Sequence, residues 1–145
     1  MTNDVDEVCL RFGRGRVLKI APLLGPIAAK IHSPFVALLP ASNSEECSEA
    51  VLVAKNLVNM GCIELCCVGA QSEALHDALD GVLEDMSKLN VVTTFHEDVM
   101  DACEYFLFAA GAQTDSLLAL VSLHPEFVYG LRKVLSEITL GDGAA

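Results

Sequence analysis

No Gly-x-x-x-x-Gly-Lys-Ser/Thr run occurs in this 145-residue chain, which removes the glycine cradle and lysine that P-loop proteins close around nucleotide phosphates. No Gly-x-Gly-x-x-Gly follows an apolar run either. The nearest approach, Gly13-Arg14-Gly15-Arg16, has no third glycine and no helical pattern behind it, so the dinucleotide fingerprint is missing. A Gly-x-Ser-x-Gly nucleophile elbow is also absent. Receiver-type phosphotransfer needs paired acids after the first strand and an aspartate closing the third; those places hold Ser42-Asn43 and Thr93-Thr94.

Basic residues are scarce, with 9 Lys and Arg against 20 Asp and Glu, for a net charge of −11. They are also unevenly placed. Residues 1–30 hold five bases and three acids, whereas residues 31–145 hold four bases and seventeen acids. Such a field repels phosphate backbones, so nucleic acid is excluded as a partner, while a basic protein would be attracted. The basic cluster Arg11-Phe12-Gly13-Arg14-Gly15-Arg16 is too short for a nucleic-acid arm, and its glycines suit a hairpin turn.

Long clean apolar runs are missing too. The richest stretch, residues 17–41, is broken by Lys19, Lys30, His32 and four prolines, so no membrane span is expected. The acidic start, Met1-Thr2-Asn3-Asp4, lacks the basic and apolar regions of a secretory signal, and a cytoplasmic location follows as the expectation. The six cysteines then read as reduced thiols. Cys66 and Cys67 are adjacent in an apolar run, and neighbours on a strand face opposite sides, so they do not suit one metal. Neither a metal nor a cofactor is expected.

What the chain does contain is a repeated alternation. Residues 34–40 are a continuous apolar run bounded by prolines, the pattern of a strand covered on both faces. Cys47, Ala50, Val51, Ala54, Leu57 and Val58 then recur at helical spacing up to Gly61. The same sequence of strand and helix repeats at 63–68, at 91–94 and at 116–122, each followed by an apolar helical stripe. Four βα units imply an α/β three-layer sandwich with a mainly parallel four-stranded sheet, flavodoxin-like or Rossmann-like. Its expected strand order is 2-1-3-4. A single domain over 1–145 is expected: an N-terminal segment 1–33 with an edge hairpin or strand at 8–20, the βα units over 34–140, and a flexible tail at 141–145.

A parallel sheet gathers the carboxyl ends of its strands on one rim, where open α/β sheets bind ligands. That rim carries Ser42 and Asn43 after the first strand, Gln71 and Ser72 after the second, Thr93, Thr94, His96, Glu97 and Asp98 after the third, and Ser122, His124 and Glu126 after the fourth. A histidine beside a carboxylate can move protons or ligate a metal. The same residues also suit capping: Thr94 as N-cap with Glu97 three residues on forms a capping box, and His124 precedes a Pro at the first helical position.

The Thr93-Thr94-Phe95-His96-Glu97-Asp98 turn, with Pro34-Phe35-Val36-Ala37 upstream and His124-Pro125 downstream, resembles a small uncharacterised bacterial α/β family over about residues 34–125. The resemblance implies the fold and carries no activity. Two functions are therefore expected from the residues. In the first, the chain is a non-enzymatic protein-binding, regulatory or immunity-like module, met by a basic partner or a second copy of itself. In the alternative, it is a small-molecule- or metal-binding enzyme using His96, Glu97, Asp98 and His124.

Overall fold

The computed structural model describes residues 8–12, 15–25, 31–111 and 114–144, the last seven by backbone alone. Six strands form one sheet in the order β1-β2-β6-β3-β4-β5. They are β1 (Val8–Phe12), β2 (Arg16–Ile20), β3 (Phe35–Pro40), β4 (Cys62–Val68), β5 (Val92–His96) and β6 (Ser116–Ala119). β1 and β2 pair antiparallel as the expected edge hairpin, and every other pairing is parallel. The glycine-bearing turn is described only from Gly15, because Gly13 and Arg14 lie outside the described residues.

Four helices cover the sheet: α1 (Ser44–Asn59), α2 (Ser72–Asp85), α3 (Val99–Glu104) and α4 (Pro125–Ala144). α4 runs through the stretch at 141–144 that the sequence assigns to a flexible tail. α3 continues into a wider π turn at Tyr105–Ala109, so its stripe of Ala102, Cys103, Phe106, Leu107 and Ala110 stays buried. No helix among the described residues is long and apolar enough to cross a membrane.

Two apolar clusters lie on opposite faces of the sheet. Ala50, Ala54 and Leu57 of α1 and Leu75, Leu79 and Leu83 of α2 pack on Ala37, Leu39, Leu65 and Cys67. Behind them, Phe106, Leu107, Phe127, Leu131 and Val134 pack on Leu18, Ile20, Val36, Leu38, Cys66 and Leu117. β3 is apolar along its length because it feeds both clusters and is buried at every residue.

The strand order departs from the expected one. In sequence-reading numbers it is 4-1-2-3 rather than 2-1-3-4, since β6 lies between β2 and β3 while β5 is an outer strand. Composition explains this. β6 carries Leu117, Leu118 and Ala119, all buried, and suits an interior place, whereas Val-Thr-Thr-Phe-His at β5 is half polar and suits an edge. Right-handed crossovers from β3 to β4 to β5 put α1 and α2 on one face, and the return to β6 carries α3 to the other, where α4, which follows β6, packs against it.

One side chain fastens that return. Arg16 of β2 donates to the carbonyls of Leu107 (2.7 Å), Ala110 (2.8 Å), Gly111 (3.4 Å) and Thr114 (3.1 Å). A helix leaves its last carbonyls unpaired and its carboxyl end partly negative, and the guanidinium meets both needs. Thr114 completes the seam by donating to the Pro34 carbonyl at 2.5 Å and accepting from Ser116 N–H at 3.2 Å.

Arg16→Met should cost about 1–3 kcal/mol, because part-buried carbonyls lose charged donors. Arg11→Met, at an exposed position of the same hairpin, should stay within about 0.5 kcal/mol. Urea denaturation of the two variants measures the contrast.

Candidate functional site

In a doubly wound sheet the crevice opens where neighbouring strands send their connections to opposite faces. One such place here lies between β3, which leads to α1, and β6, which leads to α4. Asn43 starts α1 by accepting the Glu46 N–H at 2.8 Å. The Glu46 carboxylate turns back over the same turn, and one oxygen accepts the Ser42 N–H at 2.9 Å. Its other oxygen lies 2.6 Å from Nε2 of His124.

His124 is held on every side. Its N–H donates to the Val121 carbonyl at 2.9 Å, and its own carbonyl accepts the N–H groups of Phe127 and Val128, both at 3.0 Å, which opens α4 as expected for the residue before Pro125. The imidazole stacks on Phe127 with ring centroids 4.8 Å apart, and Nδ1 lies 3.8 Å from Glu126. The paired side chains are 20% and 16% exposed, so solvent reaches the pair without screening it fully. An imidazole fixed against a carboxylate through Nε2 keeps Nδ1 as the nitrogen that can accept a proton or donate a hydrogen bond.

Other polar groups follow the ends of these strands and of β4. Cys47 donates weakly to the Gln71 carbonyl at 3.6 Å, and burial followed by the Glu46 charge raises its pKa, so it is a thiol and not a nucleophilic thiolate. The hydroxyls of Ser122 and Ser72 are buried with no hydrogen-bond partner among the described residues. Gly69 shapes the adjoining loop: its φ is +125°, and a Cβ there would sit 2.7 Å from the Ala41 carbonyl.

The third-strand residues do not join this group. With β5 outermost, three strand spacings separate it from β6, about 14 Å, so His96 and His124 cannot share a small ligand. Thr94 and His96 also face the α3 side, whereas Thr93 faces α2 and donates to Asp80 at 2.5 Å. The ring of His96 packs on Tyr105 at 5.3 Å, and Glu97 points to solvent. The capping box expected from Thr94 and Glu97 does not form, because the strand continues through His96. Asp98 caps α3 instead, accepting the Asp101 N–H at 2.9 Å. No group of three or more His, Cys, Asp or Glu among the described residues could hold a metal ion.

Two functional groups escaped the sequence reading. Glu46 was visible as the acid three residues after Asn43, a capping-box spacing. Glu64 stands out as a lone charge inside the apolar Cys62-Ile63-Glu64-Leu65-Cys66-Cys67-Val68 run. It is only 5% exposed, and its oxygens accept the Tyr105 phenol at 2.5 Å, the Gly111 N–H at 3.0 Å and the Cys66 thiol at 3.8 Å. A buried carboxylate so fully satisfied is a structural tie between β4 and the π turn. Burial, reinforced by Glu64, pushes the Tyr105 phenol up.

Residues 17–126 match the family model of a domain of unknown function, DUF7684. The matched span runs from β2 to the first turn of α4 and contains both Glu46 and His124. No curated protein matches the chain.

Two outcomes check this geometry. Asp98→Ala should cost about 0.5–2 kcal/mol as a lost cap, and Glu97→Ala next to it almost nothing. All six cysteines are free, and burial pushes the thiols of Cys62 and Cys103 from 9.0 up to about 12, with Cys66 and Cys67 also raised. The unfolded chain therefore releases these protons first. Stability should be complete below about pH 9 and fall by about 1.4 kcal/mol per thiol per pH unit above it, read as a dropping urea midpoint in reducing buffer.

Proposed function

Since the chain belongs to DUF7684, a family that carries no assigned activity, we propose its function from the geometry alone: it binds a small polar molecule in the crevice between β3 and β6, with His124 as the group that meets the ligand. The observation that carries this reading is the 2.6 Å pair of His124 and Glu46 beside neighbouring strands whose following helices lie on opposite faces of the sheet. Glu46 fixes the imidazole, and the unpartnered Ser122 hydroxyl supplies a second polar contact. The doubly wound arrangement, Rossmann-like in placing ligands at such a place, supports the same site. Six unpaired cysteines fit a reducing, cytoplasmic setting.

A second reading, the protein-binding module, is favoured by β5. That strand is an outer edge with Val92 49% and Phe95 37% exposed, and Val92–His96 holds no proline or lysine to block strand addition. With a net charge of −11, a basic partner fits such an edge better than a second copy.

A thermal-shift screen against nucleotides, divalent metals and common metabolites tests the primary reading. A ligand at 100 times its Kd adds about 2.7 kcal/mol to the folded state. The expected result is a hit whose shift disappears in His124→Ala and shrinks in Glu46→Gln. A hit that both variants keep in full removes the crevice as the site, and a flat screen together with capture of a basic partner lost in Phe95→Glu establishes the second reading instead.

A further inference from the structure

β5 closes one side of the sheet, and among the described residues no strand pairs beyond it. Its pairing with β4 decides which backbone groups are left over. Gly69 N–H donates to the His96 carbonyl at 3.2 Å, so His96 turns its N–H and C=O toward β4. By the two-residue period of a strand, Thr94 and Val92 do the same. Thr93 and Phe95 therefore turn theirs outward, two donors and two acceptors spaced as another strand would meet them.

The side chains of Thr93 and Phe95 stand on the α2 face, and α2 sets polar groups against them. His76 packs its ring on Phe95 with centroids 5.0 Å apart. Its Nδ1 lies 3.2 Å from Asp77 and its Nε2 3.8 Å from Asp80, while Asp80 also accepts the Thr93 hydroxyl. These contacts hold the ring and the two carboxylates side by side at the border of the sheet, and all three are exposed. On the other face, Val92 is exposed and uncharged. Glu97, Asp98 and Asp101, also exposed, continue the negative field past the end of the strand, and Lys88 stands before its start.

The edge offers backbone pairing to any extended chain, but a ring face beside two carboxylates attracts only a cation, through the ring quadrupole and through charge. A second copy paired antiparallel would bring its own Asp80 to the same face, acid against acid. We propose that the β5 edge accepts an extended segment of a basic protein as a further strand, with an Arg or Lys side chain seated on Phe95 beside Asp77 and Asp80. This rests on the protein-binding reading above and adds the chemistry of the partner. Its residues opposite Thr93 and Phe95 lie on the α2 face and carry cations, and those between lie on the Val92 face and are apolar.

The test is an amide NMR titration of the full chain with a blocked heptapeptide alternating Arg and Val. The expected result is saturable shifts centred on Thr93 and Phe95. A peptide with Glu in place of Arg should give none, and the Arg peptide N-methylated throughout should not bind. Asp77→Asn, Asp80→Asn should weaken binding about fivefold, and Phe95→Leu about threefold. Glu45→Gln, Glu137→Gln, which removes the same charge at exposed positions of α1 and α4, should bind as the parent does. Asp77→Asn alone repeats the test should loss of the Thr93 bond unfold the double variant. Equal affinity in the Asp77, Asp80 and Phe95 variants, with N-methylation still abolishing binding, would overturn the proposal and leave the protein-binding reading standing. Binding of the N-methylated peptide, or no saturable shift at β5, would overturn strand addition and that reading with it. Concentration-dependent shifts at Thr93 and Phe95 without peptide, together with a dimer in sedimentation, would give the edge to a second copy and overturn the proposal as well.

Discussion

The return of the chain from β5 to β6 is the constraint on which the rest of the structure depends. After stepping outward through β3, β4 and β5, the chain must cross back over two strands to reach β6. A right-handed path makes that crossing on the second face, so α3 and α4 form a separate layer with their own apolar cluster. The crossing puts β6 beside β3 and so brings His124 to Glu46, while leaving His96 at the far edge. A sheet in which β6 followed β5 would have brought the two histidines closer and left Glu46 with the Ser42 N–H but no imidazole.

Polar contacts, more than apolar ones, fix where the crossing ends. Arg16 collects the carbonyls at the end of the π turn, Glu64 accepts Gly111 N–H and the Tyr105 phenol, and Thr114 ties the start of β6 to the start of β3. Apolar packing is nearly indifferent to a one-residue slip of a helix end, whereas a buried carboxylate loses stability as soon as a donor moves away. The register of the return is thus set by three hydrogen-bonding side chains on β2, on β4 and ahead of β6. The pair at the crevice does the same at the other end of the sheet.

Much of this was legible in the residues. Each strand after residue 34 lies within two residues of its expected place at its start, because a continuous apolar run and a 3.6-residue stripe are set by burial on one or two faces. Lateral order was not legible in the same way, since periodicity reports what a strand faces and not what lies beside it. The half-polar Val92–His96 was the available sign that β5 sits at an edge. Its Thr94 and Glu97 matched a capping box in spacing, but two more residues of strand pairing through His96 moved the cap to Asp98. His124 and Asn43 kept their expected positions; the partner that gives His124 its chemistry lay 78 residues away, beyond any local pattern.

A double-mutant cycle on Glu46 and His124 tests the central claim most directly, because it measures a contact that joins the start of α1 to the start of α4. Stability by urea denaturation of the parent, Glu46→Gln, His124→Ala and the double variant gives the coupling without reference to any ligand. The fold described here requires a favourable coupling of about 1 kcal/mol or more. Additivity within about 0.3–0.5 kcal/mol would mean that the two side chains do not meet in solution, and would contradict it.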